Sequence, residues 1–136
     1  MDQLLSYLPP FEGLLPKWLL LVSVVTTVNS FQAYRSTKYT AQLYTNGQKP
    51  ASGLSTRLFS TWTLLSAVVR LTAAYNITTP VAYDLAAWTY GIALVHFIGE
   101  LVVGDASLHG RFVSPLIVAP TSLVWMLAQR EAYLNA

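Results

Sequence analysis

Apolar residues gather into four stretches of roughly 20, at about 15–35, 54–75, 81–103 and 111–131, separated by polar or turn-forming segments. Each is long enough to cross a bilayer as a helix, and a helix satisfies its own backbone where no water is present. The pattern predicts an all-α, polytopic membrane protein, with four transmembrane helices packed as a bundle in a single domain over residues 1–136. Ahead of the first stretch, Pro9, Pro10, Gly13 and Pro16 break the chain, so Leu4, Leu5, Tyr7, Leu8 and Phe11 predict at most a surface segment.

The connections differ in size. The first, about residues 36–53, is polar, carries the turn pair Asn46-Gly47, and is the only loop large enough to form a surface of its own. The second, Tyr75 to Pro80, is short, and Pro80 suits the first turn of the third helix. Its sequon, Asn76-Ile77-Thr78, lies too close to the membrane for ready glycosylation. The third loop, residues 104–111, is also short; beyond it Pro120 is expected to kink the fourth helix by freeing the Leu116 carbonyl.

Composition agrees with the pattern. The chain is 54% hydrophobic and 10% charged, against about 25% charged in soluble domains, and its mean hydropathy is +0.46. The absence of cysteine excludes disulfides, thiolate catalysis and Cys-ligated metals. A net charge of +2, spread along the chain, gives no nucleic-acid footprint. Asp2 stands where a signal peptide would be basic, so the first helix is expected to target itself. Loops one and three and their flanks hold Arg35, Lys38, Lys49, Arg57 and Arg111; the other side holds Lys17, Arg70 and Arg130. The positive-inside rule therefore puts loops one and three in the cytosol.

Within the spans, the polar residues carry the interest. His96 and Glu100 stand four apart on one face of the third helix, where an ionisable group costs about 2.5–3.5 kcal/mol at the membrane centre. On the second helix Trp62, Ser66 and Arg70 mark one face, and on the first Asn29 and Gln32 share one, with Arg35 at the exit. At 1.5 Å per residue, Arg70 lies roughly 9 Å toward loop two and Glu100 roughly 12 Å toward loop three, so they cannot pair within one chain. An antiparallel hairpin centred near Ile77 instead levels Arg70 with Asp84, Arg57 with Glu100, and Trp62 with His96. Either two ion pairs lock the hairpin, or both arginines snorkel to headgroups.

Asn29, Gln32 and Arg35 fall in the same leaflet as Arg57, His96 and Glu100, which predicts a polar cluster. Interhelical hydrogen bonding, worth about 0.6 kcal/mol per contact, is the preferred account, and a ligand or acid/base site the alternative. Trp62 and Trp88 lie too deep for an interfacial belt and are expected to pack between helices. Ala87 and Gly91 form a small-xxx-small pair that permits close approach. The second histidine, His109, sits in loop three, which leaves too few ligands for a histidine-box oxidase or another metal site. A proton relay through His96 and Glu100, as in a small isomerase, is chemically feasible.

NSFQAYR (29–35), QLYT (42–45), TRLFSTWTLLSAVVR (56–70) and AWTYGIALVHFIGEL (87–101) together resemble the ergosterol biosynthetic protein 28 family, with length and spacing agreeing over all four spans. The resemblance implies a multi-pass endoplasmic-reticulum protein without catalytic activity or cofactor, acting as a scaffold for sterol C4-demethylation. Its implied partners are the sterol C4-methyl oxidase, the C4-decarboxylating sterol dehydrogenase, the 3-keto sterol reductase and the sterol C24-methyltransferase, with self-association as well. A sterol- or lipid-binding membrane protein is the other reading, with Asn29, Gln32, Arg35, Arg57, Trp62, Arg70, Asp84, Trp88, His96 and Glu100 as the partner- or lipid-contact candidates.

Overall fold

A computed structural model describes residues 8–9, 13–36, 53–103 and 113–134. Most of the expected surface segment at 4–11, most of loop one with its Asn46-Gly47 turn, loop three with His109, and the first residues of the fourth span lie outside the described residues. Four helices appear where the apolar stretches predict them: α1 (Leu15–Arg35), α2 (Gly53–Ala74), α3 (Pro80–Val103) and α4 (Val113–Leu134).

Their ends follow from local chemistry. Pro16 sits in the first turn of α1, where its missing N–H costs no hydrogen bond, and the Trp18 amide already donates to the Leu14 carbonyl at 2.8 Å. Arg35 lies in the last turn, where a cation suits the helix dipole, before Ser36 turns extended. Between α2 and α3 the Asn76 side chain donates back to the Thr72 carbonyl at 2.9 Å, capping α2. The Thr79 amide donates to the Asn76 carbonyl at 3.0 Å, and Pro80 opens α3. This turn is tight enough to bury Ile77 completely, so the connection itself plugs the end of the bundle. α4 continues through Pro120 as one helix.

The helices pack in chain order, α1 on α2, α2 on α3 and α3 on α4, and α1 meets α4 near its own start through Trp18. Two apolar clusters form. The larger lies toward the α2–α3 turn and includes Leu15, Leu19, Ile77, Tyr83, Tyr90 and Met126. The smaller joins Ala93, Phe97 and Ala119, with Trp62, Leu94, Leu101 and Leu116 against them.

What is buried is small and often polar. Along the α1–α2 seam Ser23, Ser30, Ala33, Thr56, Ser60 and Ala67 are all buried. The Ser30 and Thr63 hydroxyls share a hydrogen bond at 2.7 Å, and Ser60 donates to the Ser30 carbonyl. Large apolar side chains point outward on every helix, among them Val28, Leu65, Val95 and Val124.

By length and composition, α3 over Pro80–Val102 is apolar enough to cross a membrane; among the described residues the other three helices fall short. Charged and amide residues, Lys17, Asn29 and Gln32 on α1, Arg57 and Arg70 on α2, Gln129 and Arg130 on α4, lower the average apolarity of these helices, and the serines Ser23, Ser30, Ser60, Ser66 and Ser122, which lower it further, are turned inward.

Candidate functional site

The helices line an open-sided cavity of about 330 Å³. α2 presents Trp62, Ser66 and Arg70 to it, the three residues whose spacing marks one helix face. α1 contributes residues from Trp18 to Asn29, α3 contributes Tyr90, Ala93 and Phe97, and α4 contributes Pro115, Val118 and Ala119. The walls are mainly apolar.

Besides a few neutral polar residues such as Asn29 and Ser66, Arg70 stands among them as the charged one. It is only 7% exposed, and its Nε donates to the Thr89 hydroxyl at 2.9 Å. Its guanidinium carbon stands 4.0 Å above the centre of the Tyr90 ring, a cation–π contact that partly offsets the lost hydration. The Tyr90 hydroxyl is fully buried and makes no hydrogen bond of normal geometry among the described residues. It lies toward Ser122, whose Oγ instead accepts the Trp18 indole N–H at 2.8 Å.

Asp84 does not answer Arg70. It is held by Arg130 of α4, which donates from Nε to Oδ1 at 2.8 Å and from Nη2 to Oδ2 at 2.9 Å. The hairpin levels gave a height along the bundle but no direction around the helix. Asp84 and Thr89 are five residues apart, about 140° around α3, and the face turned to Arg70 carries Thr89 and Tyr90. Arg130 was legible by the same depth argument: it stands four residues before the end of α4, as Asp84 stands four after the start of α3.

The expected Arg57–Glu100 pair is likewise absent among the described residues. Arg57 is exposed and its guanidinium lies along its own first turn beside Gly53. Glu100 is next to His96, with Oε1 3.9 Å from Nδ1, as their spacing implies. His96 packs edge-on to Trp62, ring centroids 5.1 Å apart, so these two do share a level. The larger polar cluster does not assemble: Asn29 lines the cavity, while Gln32 and Arg35 are exposed.

Trp62 packs between helices, against Phe59, His96 and Phe97. Trp88 does not; it is 67% exposed and stands outward from α3, because its face of the helix meets no neighbour. Nor does Gly91 mark a close approach, since a Cβ there would meet nothing within 4 Å. The close approach is at Gly13, whose backbone is left-handed (φ +93°) and whose absent side chain leaves room for the Tyr133 hydroxyl. Residues 13 and 133 are too far apart in sequence for any local pattern to reveal that contact.

Residues 15–124 match the family model described as Erg28 like protein. The "Ergosterol biosynthetic protein 28" of Candida albicans is 41% identical over 124 residues, covering 90% of each chain. That of Saccharomyces cerevisiae is 41% identical over 124 residues, covering 90% of this chain and 84% of its own. The human "Ergosterol biosynthetic protein 28 homolog" is 37% identical over 119 residues, covering 86% and 85%. No solved structure matches the chain.

Proposed function

The chain belongs to the Erg28-like protein family, and from that premise we propose that it is a non-catalytic, multi-pass scaffold of the endoplasmic-reticulum membrane. It serves sterol biosynthesis of the ergosterol type, as the names of its relatives indicate for them. All four helices cross the bilayer. The enzymes it tethers are the sterol C4-methyl oxidase, the C4-decarboxylating sterol dehydrogenase, the 3-keto sterol reductase and the sterol C24-methyltransferase.

One observation carries this reading: the serines Ser23, Ser30, Ser60, Ser66 and Ser122 are turned to neighbouring helices, while large apolar side chains stand outward on every helix. In water that arrangement would leave large apolar patches exposed on every helix. In lipid it is the expected one, since small residues let helices approach and hydroxyls bond across seams. Outer faces such as Trp88, Val95 and Val102 on α3 are then available to the spans of partner enzymes. His96 stands beside both Glu100 and Trp62, which suits packing as well as chemistry.

The test is co-purification of the four enzymes with the full chain, in cells lacking their own relative, alongside measurement of C4-methyl sterols. Wild type, His96→Gln and Glu100→Gln are expected to capture the enzymes equally and to keep C4-methyl sterols low. Capture without rescue in the His96 or Glu100 variants contradicts a pure scaffold and favours the proton-relay alternative.

A further inference from the structure

We propose that the cavity between the four helices binds an amphipathic lipid carboxylate, with its two oxygens on Arg70 and its apolar body along the walls. The charge is the first argument. Arg70 is all but buried, and among the described residues no carboxylate reaches it: Asp84 is committed to Arg130, and Glu100 lies beside His96 toward the other end of α3. A cation held in an apolar interior with only a hydroxyl and a ring for company is poorly compensated. An anionic ligand would complete it.

Geometry is the second. Thr89 fixes the guanidinium at Nε and the Tyr90 ring supports one face, so the group is already oriented. Its two terminal nitrogens make no hydrogen bond among the described residues. Two parallel N–H groups at one edge of a planar cation match the two oxygens of a carboxylate.

Shape and access are the third. On α1 the lining runs from Trp18 to Asn29, about 16 Å of helix rise, so the cavity is elongated along the bundle. Arg70 lies toward the Trp18 end and Asn29 toward the other. Leu21 and Val25 line the cavity and are also exposed, which opens it to the outside between α1 and α4. A ligand dissolved in the surrounding lipid can therefore enter sideways. The site does not depend on the scaffold role: enzyme capture can fail while the lipid binds, and the reverse.

The test uses the full chain in neutral-detergent micelles at pH 8, with matched tritiated probes in two arms. One compares oleate with oleyl alcohol, the other cholesteryl hemisuccinate with cholesterol. Wild type is expected to retain the carboxylate of at least one arm saturably and about 10-fold or more tighter than the matched alcohol, the scale of a charge-assisted bidentate contact. The arm that binds identifies an acyl or a steroid body. Arg70→Gln should reduce the carboxylate to the level of the alcohol. Ala119→Phe, which fills the cavity while leaving Arg70 in place, should weaken it as well, with helicity by circular dichroism confirming the fold of each variant. Equal retention of acid and alcohol, no retention of any probe, or wild-type binding by a folded Arg70→Gln overturns the proposal. If Arg70→Gln fails to fold, Ala119→Phe decides: unchanged binding overturns the site, and lost binding supports it.

Discussion

The two ends of the bundle are built differently. Toward the α2–α3 turn, contacts join parts of the chain far apart in sequence: Tyr83 donates to the Met126 carbonyl at 2.5 Å, Arg130 clamps Asp84, Trp18 reaches Ser122, and Tyr133 fits over Gly13. Ile77 closes that end from within the turn. Toward loops one and three, the described contacts include the α1–α2 seam bonded through Ser30, Ser60 and Thr63 and the aromatic group of Trp62, His96 and Phe97. Among the described residues, the first end is a frame of bonds between distant parts of the chain, and the second is joined mainly along the α1–α2 seam and around Trp62.

If the division is real, the same truncation should cost far more at the frame. Ile77→Ala is expected to destabilise by about 2–5 kcal/mol, and Leu101→Ala, half-buried at the open end, by well under half as much. Reversible unfolding in mixed micelles by SDS titration measures both. Equal losses would erase the distinction.

Gly13→Ala comes next. It forces a side chain into a left-handed backbone, at about 1–2 kcal/mol, and against the Tyr133 hydroxyl. Pairing it with Tyr133→Phe, which withdraws that hydroxyl, should recover part of the loss. No recovery would mean that strain at residue 13 accounts for the whole effect.

Tyr83→Phe removes one buried donor, for an expected loss of about 0.5–1.5 kcal/mol in the same titration. Arg130→Gln should have the smallest effect, because the pair it breaks is nearly half exposed and solvent screens it. A double-mutant cycle with Asp84→Asn reads out their coupling, and a value larger than the Tyr83→Phe loss would place the pair in a drier setting than its exposure indicates.

The sequence carried the helices because each is a mainly apolar run of helix length with turn residues beside it, and Pro80 even marks the first residue of α3. It also carried the cavity-facing stripe of Trp62, Ser66 and Arg70 and the shared level of Trp62 and His96, since periodicity and rise are enough for both. It did not carry azimuth. Asp84 was set at the right height for Arg70 but on the wrong side of α3, and Trp88 was turned inward when its face has no neighbour. Average apolarity is equally blind to direction, because it counts a serine in a seam and a serine facing outward alike.

The central claim is that α1, α2 and α4, not α3 alone, lie in the bilayer. The chain has no cysteine, so single thiols can be placed without altering a background. Val25→Cys, Leu65→Cys, Val95→Cys and Val124→Cys put one on the exposed apolar face of each helix. Labelling by a membrane-impermeant maleimide is measured in intact microsomes and again after solubilisation in SDS. The account predicts that all four are protected in membranes and labelled once dissolved. Protection at Val95→Cys alone, with the other three reacting freely in intact membranes, would contradict it.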